Sequence, residues 1–160
     1  MIYIQYIILI GFVMLFQSVF PVIYLQSYRI SPDFLLIFLT FYALRNNRFT
    51  SVFIGFFIGF LQDFLSNVDL IGAFSFIKTI IGFMVASIRP YLNFFSKKII
   101  LSIISAVYII HFTIFYLLRF NNSVFDILLI TKIIGINFLI NMLMFILLNK
   151  ILFDSEFIKK

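Results

Sequence analysis

The chain contains no cysteine and no tryptophan, one histidine (His111) and one glutamate (Glu156). Without cysteine there is no disulfide, thiolate chemistry or iron–sulfur centre. One histidine and almost no glutamate leave little from which to build a zinc hydrolase or a histidine-dependent nucleophile. Charge is scarce as well: 11% of the 160 residues are charged, against about 25% in a soluble domain. Alanine is rare, whereas phenylalanine occurs 25 times, and 64% of the chain is hydrophobic. No soluble fold of this size could hide so much apolar surface, so the solvent is lipid. The expected organisation is one membrane domain over 1–160, without extramembrane domain, repeat or linker. The net charge of +6 is too small and too scattered for nucleic acid. It suits loops that touch an anionic leaflet.

Charged and turn residues divide the chain into an all-α polytopic protein of about six transmembrane helices. The expected spans are about 4–24, 31–44, 50–65, 70–88, 99–118 and 126–148. No basic residue precedes the first apolar run and no small-x-small site follows it, so that segment is expected to stay in the membrane rather than be cleaved. Pro21 lies near its end, where a break is tolerated. Asn67 and Asp69 mark one turn, Asn121, Asn122 and Ser123 another. With both termini in the cytoplasm, the inner loops and tail hold Arg45, Arg48, Arg89, Lys97, Lys98, Lys150, Lys159 and Lys160. The outer loops then hold only Arg29 and Arg119. That asymmetry favours the N-in, C-in orientation. It places Asp33, Asp63, Asp69 and Asp126 at or near the outer face.

Ionisable groups inside a membrane are costly and therefore informative. Ser31, Pro32 and Asp33 read as a helix start: Ser as N-cap, Pro at the first helical position, Asp in the first turn. Asp33 could equally be a carboxylate at the outer mouth of the bundle. Gly55, Gly59 and Asp63 step by four residues, drifting only about 40° around a helix per step. They share a face, where the glycines admit a close neighbour. That seam is either internal packing or a docking face for a partner's single transmembrane helix. Ser75, Lys78, Thr79, Gly82 and Ala86 form a small and polar stripe expected to face the interior. Lys78 is expected to pair with Asp63 or Asp33 rather than to snorkel. Lys132 is expected to snorkel, Asn137 and Asn141 to hydrogen-bond across helices, and His111 to be a hydrogen-bonding packing residue. No Gly-x-Ser-x-Gly, His-Glu-x-x-His or phosphate loop is present, which argues against catalysis.

The order Pro32-Asp33, Leu35-Leu36, Arg45, Gly55-Phe56, Gly59, Asp63, Ser66 and Gly72 resembles the rod-shape-determining MreD family. Lys78 departs from that family's usual pattern of apolar or small polar residues there. The resemblance implies a fold like the substrate-binding subunits of energy-coupling-factor transporters. It also implies a non-catalytic scaffold in the bacterial inner membrane that supports cell elongation and regulates peptidoglycan synthesis. Its implied partners are an MreC-type bitopic protein and, indirectly, MreB, RodA and a class B penicillin-binding protein. Neither cofactor nor metal is implied. A vitamin-binding transporter subunit is the alternative reading. It is weakened because such subunits dock through an Ala-x-x-x-Ala pattern on the first span, which here has no alanine. A lipid-precursor transporter or an intramembrane enzyme is a third reading, opposed by the small size and the sparse functional groups.

Overall fold

The computed structural model describes residues 2–25, 28–65, 71–119 and 127–153. Expectations attached to Ser66, Asn67, Asp69, Asn121, Asn122, Ser123, Asp126 and the tail from 154 fall outside these residues. Six helices form the bundle: α1 (Ile2–Val19), α2 (Phe34–Arg45), α3 (Arg48–Leu65), α4 (Ala73–Ile88), α5 (Lys97–Arg119) and α6 (Ile127–Phe153). Among the described residues, three segments are long and apolar enough to cross a membrane: Ala73–Tyr91, Lys97–Arg119 and Ile127–Ile151.

The first expected span is cut short. The α1 helix ends at Val19, and Ile23–Leu25 (β1) pairs antiparallel with Tyr28–Ile30 (β2) in the register Ile23 opposite Ile30. Pro21 follows two residues after the helix, where its missing N–H and fixed φ prevent continuation. The β-branched and aromatic residues beyond it then favour strand over helix.

The start of α2 also differs from expectation. Its N-cap is Asp33, not Ser31: Asp33 Oδ1 accepts the Leu36 backbone N–H at 2.9 Å. Ser31 precedes a proline, which pushes it toward extended backbone, and Pro32 then lies before the helix instead of opening it. Nine of the twelve residues of α2 are buried. This helix is the centre of the bundle, packed against α1, α3, α4 and α6.

Helices α3 and α4 make the most extensive pairing, and they run antiparallel. Glycine explains how close they come. A Cβ placed on Gly55 would lie 2.5 Å from the Lys78 carbonyl oxygen, and one on Gly82 would lie 2.5 Å from that of Ser51. A Cβ on Gly59 would collide with the backbone of Phe74 and Ser75. Backbones this close replace side-chain packing by dispersion contacts between main chains. The opposite face of α3 exposes Phe53, Phe56, Phe57, Phe60 and Phe64, which suits lipid. Gly72, just before α4, sits at φ 101°, a left-handed conformation that disfavours any residue with a Cβ.

Candidate functional site

Buried polar side chains converge where α2, α4, α5 and α6 meet. Lys78 reaches from the second turn of α4 to the start of α2, and its Nζ donates to Asp33 at 2.7 Å (Oδ2) and 2.9 Å (Oδ1). The ammonium is fully shielded, and the Asp33 side chain is 8% exposed. Desolvating two unit charges costs several kcal/mol each. Only a close, hydrogen-bonded pair offsets that cost, and both carboxylate oxygens are engaged here. Asp33 does three further things. It caps α2 through Leu36; its backbone N–H donates to Asn141 Oδ1 at 2.7 Å; and its Oδ2 lies 3.8 Å from His111 Nε2.

The same polar seam continues inward. Thr40 Oγ1 donates to the Leu36 carbonyl at 2.9 Å and lies 3.1 Å from Tyr108 Oη. With its hydroxyl proton already committed, Thr40 accepts from Tyr108. Asn141 Nδ2 donates to the Asn137 carbonyl at 2.9 Å, and Asn137 Nδ2 donates to Tyr116 Oη at 2.9 Å. His111 is buried, and its Nδ1 meets no hydrogen-bond partner among the described residues.

Asp63 does not join the ion pair. It sits at the far end of the α3–α4 seam and caps α4 from outside that helix. Its Oδ1 accepts the Phe74 N–H at 3.0 Å, while Oδ2 accepts the Ser75 N–H at 3.1 Å and the Ser75 hydroxyl at 2.8 Å. A carboxylate here satisfies orphan amide donors and complements the positive end of the helix dipole. Asp63→Ala is therefore expected to cost about 1–2 kcal/mol of stability. Asp63→Asn, which can still accept one of these bonds, is expected to cost less. Thermal unfolding in a fixed detergent distinguishes the two. Equal melting of Asp63→Ala and the parent protein would rule out the cap.

The structure thus sorts the sequence-predicted residues. Asp33 and Lys78 meet, and Asp63 caps the helix that carries Lys78. The face of Gly55 and Gly59 is filled by the α4 backbone, which makes the seam internal packing and closes it to a partner's helix. Ser75, Lys78, Gly82 and Ala86 are buried as expected for the stripe on α4; Thr79 is half-buried. Lys132 is exposed on α6. Sequence reasoning did not foresee that Asn141 would support Asp33. Gln17 Oε1 accepts the Leu35 N–H at 3.3 Å and ties α1 to α2, a role no motif marks. A polar amide in an otherwise apolar helix was the available signal.

The described motif residues Asp33, Gly55, Gly59, Asp63 and Gly72 therefore occupy structural joints of one bundle. The family model described as rod shape-determining protein MreD matches residues 1–154. The chain belongs to the MreD family. That membership makes it a membrane protein of rod-shape determination. No curated protein and no solved structure matches the chain, so the expected likeness to energy-coupling-factor subunits finds no support. In an MreD protein, Asp33, Gly55, Gly59, Asp63 and Gly72 act at helix starts and helix contacts. Lys78 adds a charge that Asp33 absorbs.

Proposed function

We infer that the protein is a non-catalytic scaffold of the cell-elongation machinery in the bacterial inner membrane. In this reading it binds an MreC-type bitopic protein. Through that protein it connects to MreB, RodA and a class B penicillin-binding protein, and so influences peptidoglycan synthesis. Both termini lie in the cytoplasm in this reading. One observation carries most weight beside family membership: the buried carboxylates of Asp33 and Asp63 are held by neighbouring donors of the bundle itself. Asp33 is held by Lys78, Asn141 and Leu36, and Asp63 by the start of α4. This arrangement sets helix positions and does not present an acid, base or nucleophile to a substrate.

The basic asymmetry of the helix ends supports the orientation. Arg45, Arg48, Arg89, Lys97, Lys98 and Lys150 stand at or beside ends of α2 to α6 that the chain order and the antiparallel α3–α4 packing bring to one side. Asp33 and Asp63 stand toward the other side. The test is co-expression with an MreC-type partner, solubilisation in a mild detergent and affinity capture of either protein. Recovery of both in one monodisperse peak is the expected result. Well-expressed proteins that separate completely would overturn the scaffold reading.

A further inference from the structure

A groove of about 410 Å³ opens between α1 and α2, with Leu148 of α6 at one end. Its size falls in the range of small-molecule sites, roughly 300–1,000 Å³. The α2 wall presents Phe34, Phe38, Phe41, Tyr42 and Arg45, positions spaced three and four apart on one helix face. The α1 wall presents Leu9, Phe12, Val13 and Phe16 at the same spacing. The lining is hydrocarbon and ring throughout, until it ends at Arg45 and Asn46.

The geometry points to a lipid site: the groove holds one acyl chain of an anionic phospholipid, with the headgroup phosphate against Arg45 and Asn46. Three features of the groove select this occupant. From Phe34 to Arg45 the α2 face runs about 17 Å at 1.5 Å per residue, close to one leaflet of a hydrocarbon core about 30 Å thick. The polar rim lies at one end only, as a single-leaflet lipid requires. That rim also belongs to the basic side of the bundle, with Arg48, Arg89 and Lys97 on neighbouring helix ends, so the local field favours a phosphate. Arginine presents donors in a planar fork that matches phosphate oxygens. Because α1 leans chiefly on α2, a chain lying between them also fills a boundary that protein contacts leave incomplete. The site is independent of the scaffold reading and could exist whether or not the partner binds.

The protein in mild detergent is mixed with equal amounts of phosphatidylglycerol and phosphatidylcholine, and retained lipid is counted by native mass spectrometry. One retained phosphatidylglycerol, preferred over phosphatidylcholine, is the expected result. Arg45→Gln should lower that preference about five-fold. Phe12→Trp, which narrows the groove, should reduce retention of both lipids. Arg89→Gln, on the same side but outside the groove, should leave the preference unchanged. An unaltered preference in Arg45→Gln overturns the site, as does an equal loss in Arg89→Gln, which would mean a diffuse basic surface. If Phe12→Trp blocks capture of the MreC-type partner while lipid retention stays the same, the groove seats a helix and the lipid assignment falls.

Discussion

Replacing Lys78 by methionine should destabilise the bundle by about 3–5 kcal/mol, because it leaves the Asp33 carboxylate buried without its counter-charge. The methionine keeps most of the side-chain volume, so packing is a minor part of the change. Asp33→Asn should also be strongly destabilising, for the mirror reason: the ammonium of Lys78, wholly shielded from solvent, loses its acceptors. The double variant Asp33→Asn/Lys78→Met should recover much of the loss. It leaves no charge at this site, and asparagine can still accept from Leu36. Melting temperatures of the four proteins in one detergent form a double-mutant cycle. A cycle with no coupling, in which the two losses simply add, would show that the 2.7 Å contact contributes nothing beyond its separate parts.

Gly59→Leu should abolish the folded protein, and even Gly59→Ala should cost about 1–3 kcal/mol through overpacking. The added carbon meets the backbone of Phe74 and Ser75, which cannot swing aside as a flexible side chain would. Those same two residues donate their amides to Asp63. A shift of α4 away from Gly59 therefore lengthens the cap bonds as well, and the two losses arrive together. Gly11 and Gly135 supply the control. Among the described residues, neither has an atom from outside its own helix backbone within 4 Å of where a Cβ would stand, and both lie inside helices. Alanine there should be neutral or stabilising by up to about 1 kcal/mol through helix propensity. Monodisperse yield and thermal unfolding report all four variants. If Gly59→Ala behaves like Gly135→Ala, the close approach of α3 and α4 is wrong.

The sequence announced the helical seam more clearly than the charge network. Gly55, Gly59 and Asp63 repeat every four residues, and a fixed helical period turns that directly into one face. The contact between Asp33 and Lys78 involves residues 45 positions apart, and no local period encodes it. Only the cost of an isolated charge in lipid hinted that Lys78 needed a carboxylate, and that cost does not choose between Asp33 and Asp63. The choice follows from the antiparallel pairing of α3 and α4. It sets Asp63 against the first turn of α4, where free amides already claim its oxygens, and leaves Lys78 one turn deeper beside α2. The strand β1 was hidden for another reason. The residues of β1, Ile23–Leu25, are as apolar as those of a span, and a short apolar run does not distinguish strand from helix. The support that Asn141 gives to Asp33 was equally illegible, since an asparagine in a helix indicates a hydrogen bond without naming its partner.

The ion pair between α2 and α4 has a consequence for biogenesis. A ribosome delivers α2 first, so Asp33 enters the bilayer before the helix that neutralises it has been made. A lysine in an inserting helix is costly, up to roughly 2.5–3.5 kcal/mol at its centre, and α4 is the least hydropathic of the three candidate spans. Neither segment is well suited to insert and wait alone. Stable residence of each depends on the arrival of the other, which makes the first four helices a unit of insertion.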